Sequence, residues 1–182
     1  EDCLTLYVYA PHIAAEQAAQ GEGESLPVVV FVHGGGNVGG AASRYDMSAV
    51  AKRGYVVVTV NYRLGALGFL ALSSLSSSSP GGASGNYGIA DIAMALKWVK
   101  ANIKGFGGDA GSVTLMGQGS GGTNVLALTV SPFGKDAGSQ LFARVLALSP
   151  APRIDTSLSQ AHAHDHKFAT SSGCAHDDAA VE

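Results

Sequence analysis

Two runs constrain this chain more than any other feature: Val28 to His33 reads VVVFVH and Val56 to Asn61 reads VVVTVN. A strand with one wet face alternates apolar and polar residues, whereas a continuous β-branched run buries both faces. Such strands belong to parallel sheets covered by helices on either side. VTLM at 113–116 and VLAL at 145–148 are shorter versions of the same pattern, and LTLYVY at 4–9 suits a half-buried strand. Helical segments are expected between them, at about 43–53, 88–103 and 121–130. In the middle one Ile89, Ile92, Ala93, Leu96, Val99 and Ile103 recur on one face, with Lys97, Lys100 and Lys104 left in water.

Strand, helix, strand, helix in this order predicts a doubly wound, mostly parallel α/β sheet with helices on both faces. Its crossovers are right-handed and its functional loops lie at the carboxyl ends of the strands. The segment 14–25 reads as a polar loop, and the Ser/Gly-rich stretch 72–85 as a mobile surface excursion. The pattern is strong to about residue 150 and weakens over 151–182, which reads as an unfinished element. One domain, only part of which is present, accounts for residues 1–182.

A hydrophobic fraction of 46% is enough for a core. The net charge of −3, with eleven scattered Lys and Arg, argues against nucleic acid or an acidic membrane surface as partner. No apolar run reaches the roughly 18 residues of a membrane span, and the opening EDCLTLYVYA lacks a basic leader and an initiator Met, as a mid-protein segment would. Cys3 and Cys174 stand near opposite ends without metal-ligand spacing. His162 and His166 in HAHDH would share a helix face, but the rest of a metal site is missing, so neither metal nor cofactor is expected.

Two motifs carry chemistry. HGGGN at 33–37 follows the strand VVVFVH, and glycines there let backbone N–H groups converge on an oxyanion. VTLMGQGSGG at 113–122 has the outline of a strand entering a nucleophile elbow, G-x-S-x-G. Counted from Gly117, however, the serine position holds Gly119, and Ser120 comes one step late.

EDCL at 1–4, the strand with HGGG, NYRLGALGFL at 61–70, GNYGIADIAMALKWVKANIKGFGGD at 85–109 and VTLMG at 113–117 run in an order that resembles the cholinesterase/carboxylesterase type B family. The resemblance covers nearly everything to about residue 150 and implies a partial α/β-hydrolase fold from the N-terminal half of such a protein. Its usual elbow is G-E-S-A-G, with the nucleophile ten steps after the GGD aspartate and thirteen before the proline of L-S-P. From Asp109 and from Pro132 both counts end on Gly119, and Gln118 stands for the usual Glu. The resemblance further implies oxyanion donors at Gly35, Gly36 and Ser120, with the Ser120 side chain along the helix start. It implies a buried ion pair between Arg63 and Asp109, with Asp91 and Trp98 in architectural roles. Cys3 and Cys174 would be half-cystines with mates outside this segment, and the triad acid and histidine would lie beyond residue 182.

Glycine can neither attack a carbonyl nor carry an acyl group. The expectation is therefore a catalytically silent ectodomain, like neurotactin, glutactin, gliotactin and neuroligin, which recognises an extracellular protein at the cell surface. A homodimer or a membrane anchor outside the segment would fit such a protein. The alternative is an active type B carboxylesterase in which Ser120 serves as a shifted nucleophile. A third, non-catalytic reading is a pocket for a small hydrophobic ligand.

Overall fold

Three of the four runs expected to be apolar on both faces form the inner strands of one sheet; the fourth, at 145–148, lies on an outer strand, where Leu146 and Leu148 are exposed. The computed structural model describes residues 3–21, 23–79, 81–151 and 155–174. In chain order they form β1 (Leu6–Tyr9), α1 (His12–Ala19), β2 (Leu26–Val32), α2 (Ser48–Ala51), β3 (Val56–Val60), α3 (Gly65–Phe69), α4 (Ser73–Ser78) and α5 (Tyr87–Asn102). Then come β4 (Gly108–Gln118), α6 (Ser120–Val130), the two-residue strands β5 (Lys135–Asp136) and β6 (Ser139–Gln140), β7 (Arg144–Leu148) and α7 (Leu158–Ser171). The main sheet has the order β1-β3-β2-β4-β7. β3, β2, β4 and β7 are parallel, and β1 runs antiparallel on the edge.

The register sets Val60, Val32 and Gly117 level with one another, so the carboxyl ends of three strands open on one edge of the sheet. Behind that edge Val30, Val32, Val58 and Leu115 are fully buried with Ile92, Leu96 and Val99 of α5 and Val125 and Leu128 of α6. Each such side chain contributes about 1.5–3 kcal/mol on burial. Strand alternation sends Phe31, Val57 and Thr59 to the opposite face, where Phe31 meets Tyr45 at 4.8 Å between ring centroids.

Four segments differ from the expectation. Residues 14–25, read as loop, include most of α1, because Ala, Gln and Glu are strong helix formers even without an apolar stripe. The helix expected at 43–53 is a 3₁₀ turn at Ala42–Arg44 followed by the four residues of α2. Within 72–85 the serines form α4, where Ser77 and Ser78 donate their hydroxyls back to the carbonyls of Ser73 and Ser74. The weak stretch after 150 contains α7, opened by a capping box. Ser157 Oγ accepts from the N–H of Gln160 at 3.3 Å, and Gln160 Oε1 accepts from the N–H of Ser157 at 3.0 Å. Glu1, Asp2 and residues 175–182, with His176, lie outside the described residues.

The expected ion pair between Arg63 and Asp109 is not formed. Arg63 is bound by Asp91: Nε donates to Oδ2 at 2.8 Å, Nη2 to Oδ1 at 2.7 Å, and the Arg63 backbone N–H to Oδ2 at 3.0 Å. The guanidinium also stands 5.3 Å from the centroid of the Tyr87 ring. Asp109 instead accepts from the N–H of Gly111 at 2.7 Å. The cause is topological. Gly108 is level with Leu26 and Val60 with Val32, and six residues of parallel strand separate those levels by about 20 Å. Arg63 and Asp109 therefore sit at opposite edges of the sheet.

Candidate functional site

The glycine loop and the elbow meet at the carboxyl edge. After β2 the chain turns through Gly35 and Gly36, with φ of 122° and 67°. A Cβ on Gly35 would fall 2.1 Å from the carbonyl oxygen of Gly39, so no side chain fits this turn. The loop is fastened from behind by Tyr62, whose hydroxyl donates to the carbonyl of His33 at 2.7 Å, and whose ring stacks on the His33 imidazole at 4.6 Å.

Between β4 and α6 the apex residue is Gly119, with φ 57° and ψ −124°. An added Cβ there would meet only the Cα of Gly34, at 3.9 Å. The apex therefore faces the loop and holds a hydrogen atom where space for a side chain exists. The turn is fixed from both sides. The Gly119 N–H donates to Leu148 of β7 at 2.9 Å, and its carbonyl accepts from the Thr123 N–H at 3.0 Å.

Ser120 is the first residue of α6, and its side chain does not follow the helix start as expected. Its Oγ turns to the loop and accepts from the backbone N–H of Asn37 at 3.1 Å. One helical turn on, Asn124 lies on the same face and exchanges side-chain hydrogen bonds with Asn37, at 2.9 and 3.3 Å. Asn37 itself has φ 60°, a left-handed conformation that asparagine tolerates better than most residues. The loop and α6 are thus tied by three hydrogen bonds through one residue. Gly35, Gly36 and Ser120 come together at this edge. Among the described residues none of their backbone N–H groups is paired with an acceptor.

Burial governs the electrostatics here. Desolvation pushes the Tyr62 phenol up to about 12, only partly opposed by the neighbouring polar side chains of Ser120 and Asn124. Desolvation likewise holds His33 below the ordinary imidazole value, against the opposing bond between Nδ1 and the Gly34 carbonyl. His33 is packed behind the loop, 1% exposed, and is kept neutral.

Sequence reasoning missed Tyr62, Asn124 and the α7 side chains. The signal for Asn124 was a polar residue on an otherwise apolar helix, four residues after Ser120. Of the α7 histidines, His162 Nε2 stands 3.2 and 3.4 Å from the hydroxyls of Ser76 and Ser84, and His164 Nδ1 bonds Asp165 at 2.8 Å. Among the described residues no three His, Cys, Asp or Glu side chains form a metal-binding group. Cys3 and Cys174 are exposed free thiols.

A model described as the carboxylesterase family matches residues 1–182. The chain is 47% identical over 142 residues to a fumonisin B1 esterase of Sphingopyxis macrogoltabida, covering 77% of this chain and 25% of that protein. It is 41% identical over 175 residues to the medium-chain fatty acyl-CoA hydrolase precursor of Anas platyrhynchos, covering 96% and 28%. Among solved structures, a carboxylesterase from Geobacillus stearothermophilus superposes with a TM-score of 0.82 at 35% identity, over 97% of this chain and 35% of that one. The architecture is part of an α/β-hydrolase fold. The chain spans about a quarter to a third of the length of these relatives.

Proposed function

We propose, from the premise that the chain belongs to the carboxylesterase family, that it supplies the oxyanion loop and the elbow of a carboxylic-ester hydrolase, with Ser120 as the attacking hydroxyl. The observation that carries this reading is the 3.1 Å contact between Ser120 Oγ and the Asn37 N–H, which sets the hydroxyl at the glycine loop. The chain's relatives, among them a fumonisin B1 esterase and a fatty acyl-CoA hydrolase precursor, support the same reaction class. In the step proposed, Ser120 Oγ adds to the ester carbonyl carbon while a base takes its proton. The negative oxygen is held by the N–H groups of Gly35, Gly36 and Ser120 itself. The alkoxide leaves with a proton, and water then releases the acid from the acyl-serine. Gly119, at the apex, carries no side chain that could compete with the Ser120 hydroxyl for the ester carbonyl.

A second reading rests on the same glycine. With Gly119 at the apex, the position facing Gly34 has nothing to acylate, which supports a catalytically silent domain; such a domain would act by recognising another protein outside the cell. A fluorophosphonate probe on the full-length protein separates the two. Labelling mapped to Ser120, with p-nitrophenyl butyrate turnover lost in Ser120→Ala, is the expected result. An unlabelled protein without turnover, in which Gly119→Ser gains labelling at 119, would establish the silent reading instead.

A further inference from the structure

Beside the glycine loop lies a cleft of about 420 Å³ whose far wall is α7, a volume within the roughly 300–1,000 Å³ of small-molecule sites. Asn37 borders it at the loop, Phe69 and Leu70 line it at the end of α3, and Phe168 lines it from α7. Two polar side chains of α7, His164 and Asp165, stand on the same wall. Asp165 is fixed at both oxygens: Oδ2 accepts from the Ala71 N–H at 2.7 Å and Oδ1 from His164 Nδ1 at 2.8 Å. With His162 bonded to Ser76 and Ser84, α7 is pinned across the 71–84 segment at two points. A carboxylate can only accept, so the neutral imidazole of His164 carries its proton on Nδ1. Its Nε2 then keeps a lone pair able to accept, on a ring that lines the cleft. Among the described residues that atom has no hydrogen-bond partner.

We propose that this cleft takes the apolar arm of an ester and that His164 Nε2, oriented by Asp165, selects arms that end in a hydroxyl group. The inference rests on the ester-hydrolase reading of the adjoining elbow and makes His164 a specificity-determining residue. The hydroxyl donates to Nε2, while Phe69, Leu70 and Phe168 remove the methylenes from water. No covalent step is involved.

Calorimetry at pH 8 with two unreactive amides, N-methylhexanamide and N-methyl-6-hydroxyhexanamide, tests this without requiring turnover. The hydroxylated amide is expected to bind three- to tenfold more tightly, the effect of about one net hydrogen bond. His164→Ala should abolish the preference and leave the plain amide unchanged, and His164→Gln, which keeps an acceptor, should restore part of it. Phe168→Ala should weaken both amides alike. His164 is 84% exposed at its side chain, so these variants do not put the fold at risk, and circular dichroism verifies it. Equal affinities in the unaltered chain, a preference that survives His164→Ala, or no binding of either amide would overturn the proposal. Turnover of p-nitrophenyl acetate, whose acyl group is too short to reach the cleft, reports on the elbow separately. Acetate hydrolysis without amide binding would sink the cleft proposal alone; amide binding with the His164-dependent preference but no acetate hydrolysis would sink the hydrolase reading and with it the assignment of the bound arm to an ester.

Discussion

Asp91 shows how little a residue's neighbours in sequence say about its partner. Its side chain is 6% exposed and meets three donors of Arg63, two from the guanidinium and one from the backbone. Removing it takes three hydrogen bonds from Arg63, a cation that is itself two-thirds covered, and breaking buried pairs costs about 3–5 kcal/mol. Since Arg63 keeps some water, about 2–3 kcal/mol is expected for Asp91→Ala. In a chain of this size that lowers the melting temperature by roughly 5–10 °C. Asp109→Ala, losing one bond to Gly111, should shift it by less than about 3 °C, and equal shifts would refute the assignment. Tyr62 gives a prediction in pH. Its folded pKa is about 12, above the value near 10 of an exposed phenol. Between those values the unfolded chain holds fewer protons than the folded one, so stability falls as pH rises from 10 towards 12, by up to roughly 2–3 kcal/mol. Urea midpoints at pH 9 and 11.5 should show a drop that is smaller in Tyr62→Phe by that amount.

At the scale of elements, strands were the most legible part of the chain, because a run buried on both faces admits few alternatives. VVVFVH and VVVTVN became β2 and β3 with nearly the expected bounds, and the stripe from Ile92 to Ile103 is the buried face of α5. α4 and α7 rest on back-bonded hydroxyls and a capping box, and α1 on the intrinsic propensity of Ala, Gln and Glu; none of these carries a periodic apolar signal, so all three were missed. The site was half legible. HGGGN and the elbow follow from glycine spacing, but the turn of Ser120 towards Asn37 depends on Asn124, 87 residues away from its partner. α7 supplies the element-scale test. Its capping box satisfies N–H groups that would otherwise be unpaired, and replacing such a serine costs about 1 kcal/mol. Ser157→Ala is expected to raise amide exchange across 158–171 about fivefold while leaving α5 and α6 unchanged. Uniform exchange throughout would mean that α7 opens only with the whole fold.

At the largest scale, the two outer strands of the sheet among the described residues differ. β1 closes one edge by antiparallel pairing with β3, whereas β7 pairs with β4 and presents its other edge uncovered among the described residues. Leu146 and Leu148 on that strand are 46% and 37% exposed, and Val130 and Phe133 are also exposed. An open strand bearing leucines offers unpaired backbone groups and apolar area together, the combination that drives edge-to-edge association. The 182-residue polypeptide is therefore expected to self-associate through β7, with a sedimentation coefficient that rises between 5 and 200 µM, about forty-fold in concentration. A charged side chain opposes such pairing because it must be desolvated in the joined sheet. Leu146→Lys with Leu148→Lys should hold the polypeptide monomeric across that range, while Leu67→Lys, a change at a still more exposed leucine away from the edge, should not. If both variants associate as the parent does, the contact lies elsewhere and the edge is not what joins the copies.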